Sequence, residues 1–253
     1  MGVYTFTVDE DNNMDTSADR ELFVQAYDFE QHKTYVPIRI TKDNVADARP
    51  QLVRNGENTY LFWLQNEKDV RYLNVSDLVK NGVADDGTIK EDYELTISYV
   101  FFTNDEGEAV NPTFGSYEAY VDQDGNLFIT WLQPVRDENG NNSQEVFASA
   151  FIDRENDSSW SSGVQLTESG VFNDEIAFVT DENGNLFMVN NQYQMDLATL
   201  DYEVSNSKLV STTFKTVGSM DVKDVVYSDS TPLAGEDIEA NAILVFVDYI
   251  KIP

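Results

Sequence analysis

The chain has 253 residues, no cysteine, and 46 acidic against 16 basic side chains, a formal charge of −30. Disulfide staples and thiolate metal sites are thereby excluded, and a charge of that sign argues against nucleic acid and anionic lipid surfaces as partners. With 41 % hydrophobic and 12 % aromatic residues the chain is nevertheless apolar enough to fold around a large core.

Taken in chain order, residues 3–8 read as a strand and 9–15 as an acidic loop. In that loop Asp9, Asp11, Asn13 and Asp15 place oxygen side chains at alternate positions, as calcium loops do. Met14 stands where such loops want Gly and Arg20 where they want Glu, so the other reading is a solvated acidic turn. Calcium is the one cofactor the pattern suggests. Residues 21–27 and 33–40 form a strand pair around a turn carrying His32, the only histidine, which reads as exposed.

From residue 48 a phrase begins to repeat. A turn is followed by a short apolar-aromatic strand and then usually a Gln: Asn58 to Gln65 with Trp63, Asn126 to Gln133 with Trp131, Asn185 to Gln192, and a degraded copy at 241–248 with Phe246. The period, roughly 60 residues, is that of one supersecondary unit used several times. The first copy reads as strands at 50–54, 59–65, 70–75 and 93–102, with Ser76 or Asp77 capping a single helical turn. The second has strands at 118–121, 126–133, 145–151 and 163–167, the first two joined by a turn with Asp122, Asp124 and Gly125. In the third, strands are expected at 175–180, 185–192, 196–203 and 208–214; the fourth opens at 223–227, continues at 241–250 and stops.

Short, evenly spaced strands with turn signals between them, in four-stranded units, predict an all-β fold and specifically a β-propeller of about four blades. The blades are expected at 48–104, 116–168, 174–216 and 222–250, the last completed by the strands of 21–40. Two arrangements stay open: a small closed ring, or a piece of a larger propeller in which 3–8 belongs to yet another blade. An open arc would expose strand edges, so an edge-paired homodimer or the remainder of a longer chain is an expected partner. Trp63 and Trp131 lie within strands apolar at nearly every position and read as packing between blades rather than as sugar platforms.

With the pattern Asp-x-Asp/Asn-Gly-Asn-apolar-Phe and the segment from Asp157 to Ser161, the chain resembles the β-propeller repeats of bacterial secreted and cell-surface proteins, including the sialidase-like group with Asp boxes. The resemblance covers most of 48–250. It implies an extracellular or surface location, although no signal peptide is read at the N-terminus. The box is half kept: Asp157, Glu155 and Asp153 stand where Gly, Asp and Ser belong. An arginine triad, which sialidase chemistry needs, does not emerge from the seven arginines; only Arg49 and Arg54 flank an innermost strand.

Glu118 and Glu175 read as repeat-equivalent acids at the starts of inner strands, with Asp224 close to the next equivalent. Together with Arg49, Arg54 and Tyr120 they form the candidate ligand-binding set. Two functions follow: a non-catalytic module that binds a glycan or a protein through its loops, or a glycoside hydrolase with a carboxylate pair in the channel. No catalytic residue is assigned, and neither a phosphate loop nor a dinucleotide fingerprint is present.

Overall fold

The structure is a computed structural model and describes residues 2–9, 20–43, 45–66, 68–84, 87–100, 116–121, 125–136, 140–152, 159–161, 163–167, 172–180, 186–196, 201–216, 225–227 and 231–232. The chain divides into two compact units, Met1–Phe101 and Phe102–Pro253. The fold is all-β and propeller-like, built from consecutive antiparallel meanders; its only helix is one short turn among the described residues.

In the first unit, β1 (Gly2–Asp9), β2 (Arg20–Asp28), β3 (Lys33–Thr34) and β4 (Ile38–Arg39) make one sheet, in which β3 and β4 both pair with β2. The segment 3–8 therefore belongs to the same sheet as β2, pairing along its length from Gly2–Tyr27 to Asp9–Arg20. The second sheet runs in order through β5 (Asp47–Asn55), β6 (Asn58–Gln65), β7 (Asp69–Asn74) and β8 (Ser98–Tyr99). Six consecutive residues of β6, Tyr60 to Gln65, are buried, which explains the unbroken apolar run from Tyr60 to Leu64. The tight turn before β6 needs the left-handed φ of +59° that Gly56 supplies.

After β7 the chain turns into α1 (Val75–Asp77) and a π-helical turn, Leu78–Gly82. The cap is Asn74, whose side chain accepts from the Asp77 amide, rather than Ser76 or Asp77. Asn74 wins because it alone is still extended, and an extended residue can aim its carbonyl oxygen back at the first turn. A Cβ on Gly82 would meet the Tyr93 ring at 2.6 Å, so the close approach requires glycine.

In the second unit, β9 (Tyr117–Val121), β10 (Leu127–Arg136) and β11 (Asn142–Ile152) form a meander whose outer edge is β12 (Ser159–Trp160) and β13 (Val164–Gln165). A further meander follows: β14 (Phe172–Thr180), β15 (Leu186–Asp196) and β16 (Asp201–Thr216), edged by β17 (Val225–Tyr227) and β18 (Thr231–Pro232). The outer half of this last sheet departs from expectation. Residues 196–203 and 208–214 are not successive strands; β16 is one strand along β15, with a register shift between Gln192 and Gln194 that leaves 204–207 as a bulge. Ser205 and Asn206 look like a turn in sequence, but no Gly or Pro breaks the strand there. Consequently Val225–Tyr227, expected to open another unit, pairs as the outer edge of this sheet.

One pairing frame recurs in all four strand groups, the last two of which are joined into one ten-stranded sheet by a parallel pairing of β11 with β14. Trp63 on β6 lies opposite Arg71, Trp131 on β10 opposite Phe147, Asn190 on β15 opposite Val210 and Phe6 on β1 opposite Phe23. On the facing strands β2, β7 and β11, Leu22, Val70 and Val146 each accept a bond from a residue beyond the strand: Ile40, Val100 and Leu166, at 2.8, 2.9 and 2.7 Å. Trp63 and Trp131 occupy one place in the frame and are 0 % and 1 % exposed, so both are packing residues. Phe246, the degraded counterpart, lies outside the described residues.

Within each unit the sheets stack by their faces. Leu22, Val24 and Ile40 of the first sheet pack with Leu61, Trp63 and Leu73 of the second. Val146, Ala148 and Leu166 repeat that role against Ile176 and Phe178 of β14. Each such fully buried Leu or Val contributes about 1.5–3 kcal/mol.

Candidate functional site

Polar chemistry concentrates where stacked sheets meet, at the end of the second strand. In the first unit Glu21 and Asp47 are 1 % and 0 % exposed. Glu21 Oε1 accepts from Arg39 Nη2 at 2.9 Å and from the Asp43 amide at 3.0 Å. Asp47 Oδ1 accepts from Trp63 Nε1 at 2.8 Å and from Gln65 Nε2 at 3.3 Å, and Gln65 also donates to Asp43 Oδ2 at 3.0 Å. Thr41 Oγ1 accepts from the Leu22 amide at 2.9 Å. Glu21 Oε2 and Asp47 Oδ2 are buried with no hydrogen-bond donor. Burial pushes the Asp47 carboxyl up from its ordinary value and the charge of Asp43 adds to this, while Thr41, Trp63 and Gln65 pull the other way.

The second unit builds the same clasp at the same register. Thr167 Oγ1 accepts from the Val146 amide at 2.9 Å and donates to Glu145 Oε2 at 2.6 Å. Asn173 Nδ2 donates to that oxygen at 3.2 Å and to the Gln144 carbonyl at 2.7 Å. Thus Glu145 and Thr167 repeat Glu21 and Thr41, and Asn173, opposite Gln192, repeats Asp47, opposite Gln65. Sequence reasoning missed these six residues. The signal was there: Glu21-Leu22-Phe23 and Glu145-Val146-Phe147 each put a carboxylate at the head of an apolar strand, and Ile40-Thr41 and Leu166-Thr167 close the pattern.

The candidate set drawn from sequence does not assemble as expected. In the pairing frame the position of Glu118, opposite Thr130, is held by Gln51 in the second sheet and Ala177 in the last. Glu175 is displaced by a bulge between Asp174 and Ala177, the counterpart of the one between Ala48 and Gln51 that holds Arg49. Counting from the turn missed this because a bulge adds a residue without changing the pattern of side chains. Glu118 and Glu175 are therefore not equivalent. Asp224 lies outside the described residues and immediately precedes an outer strand, not an inner one. Arg49 is exposed, at φ +52°, and Arg54 is exposed with Nε donating to the Gly56 carbonyl at 3.2 Å. Tyr120 is half-buried and stacks on Phe178, ring centroids 5.1 Å apart, which makes it a sheet-packing residue.

Of the acidic loop, the backbone of Asp9 ends β1, and Asp11, Asn13 and Asp15 lie outside the described residues. No group of three or more His, Cys, Asp or Glu side chains is arranged to hold a metal among the described residues.

One exposed surface stands out. The hairpin linking β2 to β3 carries Phe29 at 62 % exposure, its ring edge-on to Tyr27 at 5.0 Å. Tyr27 Oη is 3.2 Å from His32 Nδ1, and Lys33 Nζ sits 4.7 Å over the Tyr35 ring. Asp28 Oδ1 accepts from the Glu30 and Gln31 amides, which fixes the turn and holds its carboxyl below the usual range, the Gln31 bond contributing most. His32 is exposed in this turn, as expected.

A comparison with protein-family models finds no match, and a comparison with curated protein sequences finds none. Among solved structures the chain is similar to an endo-arabinase from Bacteroides thetaiotaomicron, at 12 % identity over 92 % of this chain and 77 % of that one, with a TM-score of 0.38. It is also similar to the periplasmic gluconolactonase PpgL of Pseudomonas aeruginosa, at 10 % identity over 90 % and 80 % of the two chains, TM-score 0.32. A third is TolB of Acinetobacter baumannii, at 16 % identity over 93 % of this chain and 54 % of that one, TM-score 0.30, so this chain spans about half of TolB.

Proposed function

We propose that the chain is a non-catalytic binding module of a bacterial surface or secreted protein, engaging a glycan or a protein through its loops. The observation that carries this reading is the β2–β3 hairpin. A phenyl ring at 62 % exposure, beside a perpendicular tyrosine and a lysine over a second tyrosine, is costly to leave in water on so acidic a chain. Aromatic faces of this kind serve sugar rings and apolar side chains alike. Among the described residues the buried carboxylates of the two clasps are engaged within the fold, and Glu118 has no acidic counterpart in the pairing frame, which favours the binding reading over the hydrolase one. No helix among the described residues is long and apolar enough to cross a membrane.

The test is a glycan array and a binding screen against surface-protein ectodomains, with wild type and Phe29→Ala. Losing one stacking ring is worth about 0.5–1.5 kcal/mol, so any signal should weaken about threefold to tenfold while far-UV circular dichroism stays unchanged. Release of reducing sugar by the wild-type chain, abolished by Glu118→Gln, would overturn the non-catalytic reading.

A further inference from the structure

The two clasps share the backbone positions of their Glu, their Thr and the polar residue from the next strand group, and differ in what that last residue is. In the second, the carboxamide of Asn173 and the hydroxyl of Thr167 donate to Oε2 of the single buried carboxylate, Glu145. In the first, a second carboxylate, Asp47, takes the place of the amide. Its Oδ1 is served by Trp63 and Gln65, but its Oδ2 is buried with no donor, as is Glu21 Oε2. A carboxylate oxygen closed off from water without a donor costs several kcal/mol if charged, and the cheapest remedy is a proton.

The neighbouring charges do not relieve it. β2 contributes Glu21; β4 contributes Arg39, bonded to Glu21 Oε1; the loop before β5 contributes Asp43, bonded to Gln65. β6 offers only the neutral Trp63 and Gln65, and β7 sets Asp69 opposite Gln65 in the register. Three of these four charged groups are acids.

We infer that the first clasp is a proton-sensitive latch between the first two sheets: with a proton on Asp47 the stack is held as described, and loss of that proton to water leaves an uncompensated charge inside it. Since burial lifts the Asp47 carboxyl above its ordinary 3.8, its contribution to folding is complete below that value and is lost as pH climbs through the raised one. The second clasp has an amide, Asn173, at this place. The first sheet pair therefore tightens on mild acidification through Asp47.

Hydrogen exchange read by mass spectrometry on the full chain, corrected for intrinsic rates, tests this at pH 4 and pH 7.5. Asp47→Asn should raise protection of segments 20–41 and 59–65 at pH 7.5 and match wild type at pH 4. Asn173→Asp is the reciprocal: segments 144–152 and 163–167 should lose protection at pH 7.5 and recover it at pH 4. The inference fails if Asp47→Asn lowers protection at both pH values, or leaves it unchanged at both. It fails equally if Asn173→Asp costs the same at both, since that would mark a packing role only. Should Asp47→Asn not fold, the Asn173→Asp arm decides alone.

Discussion

The stacked pair β1–β8 and the stacked pair β9–β18 are two solutions to one problem. Both must close a sheet interface where a third strand begins, and both do it with a Glu, a Thr and a polar residue from the next sheet. In the second pair a single buried carboxylate, Glu145, meets Thr167 and Asn173 through its Oε2. In the first, two buried carboxylates, Glu21 and Asp47, share a space that an extra arginine only half neutralises. The backbone frame is indifferent to this. What differs is how many carboxylates the interface closes off, which a pairing diagram cannot show but an inventory of hydrogen bonds does.

Truncating the shared tryptophans should give the largest effect and tests whether the two pairs are built alike. Trp63→Ala and Trp131→Ala each empty a fully buried site and should each cost about 3–5 kcal/mol in urea unfolding. The milder Trp63→Phe and Trp131→Phe sharpen the difference. The Trp63 indole serves the buried Asp47, whereas that of Trp131 serves the half-buried Gln133 at 3.1 Å. Trp63→Phe should therefore be costlier by about 1 kcal/mol at neutral pH; equal costs would show that Asp47 does not depend on that donor.

A smaller effect comes from the threonines. Thr167→Val strands the Val146 amide and removes one of the two donors to Glu145 Oε2, at about 2–4 kcal/mol, while Thr41→Val strands chiefly the Leu22 amide, at about 1–3 kcal/mol. Chemical denaturation of the two variants side by side reads the difference. A larger loss at Thr41 would contradict the donor inventory of the first clasp.

The repeat was legible in sequence because β6 and the first part of β10 are buried on both faces and are apolar nearly throughout, as in the five residues from Tyr60 to Leu64. Trp63 and Trp131 could be placed for the same reason. The functional residues were not legible, for two physical reasons. A bulge such as the one beside Glu175 shifts which residue faces which without altering alternation, so Glu118 and Glu175 looked equivalent and are not. A carboxylate at a strand end looks like a solvated terminus until the neighbouring sheet covers it, which hid Glu21, Asp47 and Glu145. The long β16 misled in the opposite direction: its polar bulge at 204–207 resembled a turn, moving the apparent start of the next unit to 223.

The smallest predicted effect concerns the point where the sheets diverge in their backbone. In the pairing frame Asn74, opposite Tyr60, takes the position of Ala26, opposite Val3, and Ala150, opposite Phe128. At both alanines the strand runs on; at Asn74 it stops and α1 begins. The side chain explains this, since Asn74 Oδ1 accepts from the Asp77 amide at 3.1 Å while its Nδ2 donates to Asn58 Oδ1 at 3.1 Å. An alanine there keeps the strand propensity of its two counterparts but loses the cap. Asn74→Ala should cost about 1 kcal/mol, with most of the loss of hydrogen-exchange protection confined to 75–82, and Asn74→Ser should restore the greater part of it. If alanine instead leaves that turn protected, the helix is held by Leu78 and Val75 in the sheet interface alone, and the difference between the sheets is one of packing rather than of capping.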